Sequence, residues 1–129
     1  MTITINTVVT DAMRRLNMMA AGQDPDAAEA DEALRLLNDM MLSLPAKGVH
    51  AGWTELALSD DFPLEDKHIN GVKWMLVKAI TSVNGMSLSR EQQENVTEGW
   101  LLLESDYKIL ETLRVDNGLS NMPSQRRNW

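Results

Sequence analysis

Most apolar residues of this chain recur at the three-and-four interval of a helix, and only two short stretches alternate as a strand does. The first stretch is the opening MTITIN, which reads as a short extended arm. Asn6 or Thr7 is expected to cap a first helix carrying Val9, Ala12, Met13, Leu16 and Met19 on one stripe, with Gly22 ending it. Asp24 followed by Pro25 predicts the cap and first turn of a second helix, where Asp26 and Glu29 favour the positive helix end. Its stripe is Ala30, Ala33, Leu34, Leu37, Met40, Met41 and Leu44, and it stops at Pro45 and Gly48.

Through residues 49–63 the helical period vanishes, and residues 53–58 alternate, as a short extended segment or a loop does. After the turn signal DDFP a third helix carries Ile69, Val72, Leu76, Ala79, Ile80 and Val83 and ends near Gly85, with Trp74 and Lys78 off the stripe. Ser89 with Gln92 makes a capping box for a fourth helix bearing Val96, Trp100, Leu103, Tyr107 and Leu110 at heptad spacing. Leu101, Leu102 and Ile109 widen its apolar face beyond what one neighbouring helix covers. This helix is therefore either central in the bundle or shared with another subunit. It is expected to run to Val115, after which Asp-Asn-Gly breaks it.

The expected fold is all-α: a compact bundle of about four helices with an N-terminal arm, a central loop and an extended C-terminal tail. Residues 1–118 form the helical domain and residues 119–129 the tail. The composition agrees: 43% of the 129 residues are apolar but only 5% aromatic, a palette of Leu, Ala, Met, Val and Ile that favours helices. Twelve basic against 19 acidic residues leave a net charge of -7, which disfavours duplex DNA binding as a main function. The absence of cysteine excludes a disulfide framework and cysteine-ligated zinc. A basic segment leading into an apolar run is missing from the opening residues, so neither a cleaved signal nor a membrane span is expected.

Candidate chemistry is sparse. Glu65 and His68 have the Glu-x-x-His spacing of di-iron bundles, but that site needs two such pairs and two further glutamates. The expectation is no metal site and a solvated helix start. Glu91, Glu94 and Glu98 share a face of the fourth helix, where the macrodipole accounts for acidic residues without any acid/base role. No phosphate loop, nucleophile elbow or zinc signature is present, so no catalytic residue, cofactor or metal is expected and the chain is read as a non-enzyme.

Nine methionines are read mainly as core filling. Of four tryptophans, Trp100 fits a stripe, whereas Trp53, Trp74 and Trp129 fall in a loop, off a stripe and in the tail. Tryptophan and arginine are enriched at binding hot spots, which makes Trp53, Trp74, Arg126, Arg127 and Trp129 the candidate partner-binding residues. Trp53 and Trp74 are expected to be partly exposed in the free subunit.

Three segments carry a family resemblance: AMRRLNMMAAGQDPDAAEADEALRLLNDMMLSLPAKGV, FPLEDKHINGVKWMLVKAI and LSREQQENVTEGWLLLES. Together they resemble the head-tail connector proteins of tailed bacteriophages, especially the tail accessory, DNA-stabilising adaptor family of short-tailed phages, over about residues 7–107. The likeness is a distributed pattern that includes the lysine-glycine turn after the second helix, the Phe-Pro-Leu lead-in to the third, and Gly71. It implies a structural virion protein, a subunit of a dodecameric ring at the head-tail junction, assembled in the host bacterial cytoplasm. Such a ring binds the phage portal protein, extends the channel that passes genomic DNA without sequence-specific binding, stabilises the packaged DNA, and is a docking platform for the next tail component, a nozzle or hub. Known members carry a longer extension after the last helix, where this chain has about a dozen residues. The alternative class is a small helical adaptor or regulator that dimerises through the fourth helix.

Overall fold

The computed structural model describes residues 3–16 and 26–108. Four helices run in the order α1 (Ile5–Arg15), α2 (Ala27–Leu42), α3 (Ile69–Val83) and α4 (Arg90–Tyr107), with 3₁₀ turns at Leu44–Lys47 and Asp66–His68. Among the described residues there are no strands, only the isolated pairings of Thr4 with Asp61 and Val49 with Lys108. The fold class is therefore the expected all-α bundle.

The central helix is α3, not α4. Its residues are largely apolar, with Lys73 and Lys78 its only charges, and a helix of that kind is covered on several sides. It packs against α1, α2 and α4, whereas α4 packs on α3 and the 3₁₀ turn that precedes it. The polar opening Arg90-Glu91-Gln92-Gln93-Glu94 explains why α4 stays peripheral. Ile5, Val8, Leu37, Met41, Val72, Leu76, Val77 and Leu103 are among the core residues with almost no exposure.

The α3–α4 crossing is set by two glycines. Gly71 and Gly99 are both buried, and a Cβ on Gly99 would lie 2.6 Å from the Gly71 Cα, so the two backbones are in direct contact. The heptad reading put Trp100 at the centre of this face. Gly99 holds that place, with Val96 and Leu103, while Trp100 and Tyr107 are half-buried at its margin.

Helix ends differ from expectation where distant segments decide them. Thr4, not Asn6 or Thr7, caps α1, because residues 3–4 are held extended beside the central loop rather than forming a free arm. The loop carbonyls of Asp60 and Leu58 accept from the Ile5 and Asn6 amides at 2.8 and 2.9 Å, satisfying donors that a helix start otherwise leaves open. Asp26, not Asp24, caps α2, since Glu29 at the third helical position completes a capping box. The Ser89–Gln92 box forms as expected. Helix α4 ends at Tyr107 rather than Val115: Lys108 turns extended to pair with Val49, and the Tyr107 carbonyl accepts from the His50 amide at 2.9 Å. The expectations for Met19, Gly22, Leu110 and the tail of residues 119–129 lie outside the described residues.

No strand forms over residues 53–58; the loop is instead fastened to the core by side chains. Trp53, Phe62 and Leu64 are buried, and the two aromatic rings meet edge-on at 6.1 Å. Buried Asn38 of α2 donates to the Leu56 carbonyl at 2.9 Å and accepts from the Leu56 amide at 3.1 Å and the Trp53 indole at 3.0 Å.

Candidate assembly surface

Three places outside the core collect unusual side chains. The first joins the start of α3 to the end of α4. His68 is 1% exposed, and its Nε2–H donates to Asp106 Oδ2 at 2.8 Å, while the Lys67 ammonium reaches the same oxygen at 2.8 Å. The imidazole packs on Tyr107 with ring centres 5.3 Å apart, and among the described residues its buried Nδ1 has no hydrogen-bond partner. Glu65 projects into solvent near Lys67, so the Glu-x-x-His pair diverges and the solvated helix start expected at His68 is replaced by a buried imidazole. Sequence reading missed Asp106, whose partner His68 lies 38 residues earlier in the chain.

The hydrogen bond from Lys67, then that from His68, holds the Asp106 carboxyl below the ordinary value of 3.8. A depressed carboxyl stabilises the fold at pH values above its unfolded value, and that contribution is lost as pH falls through the folded one. Denaturation midpoints of the wild type and Asp106→Asn are therefore expected to differ at pH 7 and to converge as the pH is lowered below about 4. A gap independent of pH would show that the ion cluster does not contribute through its charge.

The second place is the α1–α3 contact. The Arg15 guanidinium lies 4.7 Å from the Trp74 ring centre and donates to Asn70 Oδ1 at 2.8 Å, and burial lowers its pKa. Beside it the Lys73 ammonium reaches Asp11 at 2.7 Å. Trp74 is thus half-buried, as expected for a residue off the main stripe, but one face of its indole is already occupied.

The third is a cleft of about 370 Å³ between α2, α3 and α4, with Met40, Met75, Val96 and Trp100 as its apolar floor and Lys47 and Lys78 on its rim. Lys47 sits over the Trp100 ring, 5.5 Å from its centre. Round α4 from the cleft, Leu101 and Leu102 are exposed by 55% and 37%, with exposed Glu98 and Glu94 one and two turns earlier on that side. The Leu101 and Leu102 part of the wide apolar face read from the sequence is therefore exposed, and among the described residues nothing covers it, while Ile109 lies outside them.

The candidate partner-binding residues do not converge. Trp53, expected to be partly exposed, is 8% exposed with its indole nitrogen bonded to Asn38, which makes it a core residue. Trp74 sits apart from it under Arg15, and Arg126, Arg127 and Trp129 lie outside the described residues. The surface that sequence reasoning missed is the cleft. Its advance signal was Lys78, a charge off the apolar stripe of α3.

Among the described residues no three His, Cys, Asp or Glu side chains are placed to hold a metal ion, and no helix is long and apolar enough to cross a membrane. Comparison with protein-family models and with characterised proteins finds no match for this chain.

Proposed function

We propose that this chain is a structural subunit of the ring-shaped head-to-tail adaptor of a tailed bacteriophage. In this reading it binds the portal, extends the DNA channel and gives the tail a platform on which to dock. Its chemistry is contact formation, and its place is the head-tail junction of the virion. The observation that carries the reading is the ordered likeness of three segments, spanning about residues 7–107, to the adaptor family of short-tailed phages. The exposed Leu101 and Leu102 support it, since adjacent leucines on an outward helix face are a cost to a monomer and an asset to a subunit. The net charge of -7 suits a channel wall past which DNA slides without sticking.

The same leucines favour a second reading, a homodimeric helical adaptor joined through α4. Mass measured in solution, with and without portal rings of the phage that encodes the chain, separates the two. A connector is expected to gather on the portal into one high-order ring species. A fixed dimer that ignores the portal at every concentration would overturn the connector reading.

A further inference from the structure

We infer that a second copy of this chain fills the cleft, placing its own Leu101 and Leu102 on the Met75–Trp100 floor and its Glu94 and Glu98 against the Lys47 and Lys78 rim. The inference deepens the proposed function and rests on its premise that copies of the chain join.

Charge and surface both point to this occupant. Arg14, Arg35, Lys67, Lys73 and Lys108 each have a carboxylate partner, yet Lys47 and Lys78 have none among the described residues. Both are exposed, and both stand beside an apolar floor rather than open water. On α4, Glu94 and Glu98 likewise make no ion pair among the described residues, and they precede the two exposed leucines by two turns and one turn. One chain therefore offers an apolar hollow with two cations at its rim and a ridge of two exposed leucines preceded by two anions, each matching the other in character. Such complementarity suppresses like-with-like pairing, because ridge against ridge would oppose four carboxylates.

Hollow and ridge are different patches of the molecule. Successive helix residues turn by about 100°, so Trp100 faces the cleft while Leu101 points away from it. A contact between different patches is head-to-tail and leaves one hollow and one ridge open on every dimer. Repetition then closes a ring or extends a filament, where a two-fold dimer would stop.

The chain has no cysteine, so single cysteines report the contact directly. Lys78→Cys and Glu98→Cys are both at exposed positions and should leave the fold intact. A Lys-to-Glu ion pair leaves its Cα atoms farther apart than the roughly 7 Å that a direct disulfide tolerates, so a short bismaleimide is used to join the two thiols. Mixed in equal amounts and treated with it, alone and again with portal rings, the two variants are expected to give a Lys78→Cys to Glu98→Cys heterodimer. Neither variant by itself should cross-link, nor should Lys78→Cys with Glu65→Cys. Adding Leu101→Arg to the Glu98→Cys chain should reduce the cross-link at least tenfold while the helical signal stays unchanged. No heterodimer under either condition, or self-linking of Glu98→Cys alone, overturns the inference, the latter in favour of two-fold α4 pairing. Rings that form on the portal without this cross-link keep the connector function and discard this interface. A cross-link with no portal binding keeps the interface and discards the connector.

Discussion

Replacing Gly99 by alanine is expected to destabilise the protein by about 3 kcal/mol, although the same change in an open helix interior stabilises by up to about 1 kcal/mol. The sign reverses because of what the new methyl meets. A Cβ on Gly99 would stand 2.6 Å from the Gly71 Cα and 2.9 Å from its carbonyl oxygen, and one on Gly71 would stand 2.8 Å from the Gly99 Cα. These are backbone atoms inside two helices, so no side chain can swing aside. Relief requires α3 and α4 to separate, which loosens the burial of Val72, Leu76, Val96 and Leu103 along the same crossing. Denaturant midpoints followed by far-UV circular dichroism check this, with Ser105→Ala on the outward face of α4 as the control, expected to stay within about 0.5 kcal/mol. A Gly99→Ala variant as stable as the wild type would mean that the helices do not touch backbone to backbone.

That pair of glycines also shows where sequence reasoning runs out. Periodicity located α2, α3 and α4 and the Ser89–Gln92 box, because those signals lie within a few residues of one another. It could not rank the helices by centrality. The leucine-rich end of α4 fitted either a central or a shared position, while the higher apolar content of α3, a property of the whole helix, goes with its central place. Gly99 reads as a weak point in an isolated helix and gains its meaning only from Gly71, 28 positions earlier. The caps at Thr4 and the stop at Tyr107 are fixed in the same non-local way, by pairings with Asp61 and Val49. As for the candidate site, the breadth of the α4 face was legible and the cleft was not. Its floor and rim come from three helices and the turn after α2, with no common period.

Trp53 was misjudged for a related reason, and the residue that buries it carries the second large effect. Asn38→Ala is expected to cost about 3–5 kcal/mol, a large part of the roughly 5–15 kcal/mol that holds a domain of this size together. The amide of Asn38 makes three hydrogen bonds at 2.9–3.1 Å, two to the backbone of Leu56 and one to the indole of Trp53. Alanine leaves the indole N–H, an amide and a carbonyl without partners, and each orphan that stays buried costs about 1–3 kcal/mol. The loop of residues 49–63 also presents Asp60 and Leu58 carbonyls to the first turn of α1, so its release would fray that helix as well. Two further variants isolate the cause. Trp53→Phe removes one donor while keeping most of the apolar ring against Phe62, and should cost less than Asn38→Ala. In the double variant the two losses should fall short of their sum by about 1 kcal/mol or more, because the shared bond is lost only once. Midpoints from chemical denaturation followed by far-UV circular dichroism give all three values. An Asn38→Ala variant within about 0.5 kcal/mol of wild type would mean that water readily replaces the amide. The loop would then be a surface strap, and the indole of Trp53 would again be free to meet a partner.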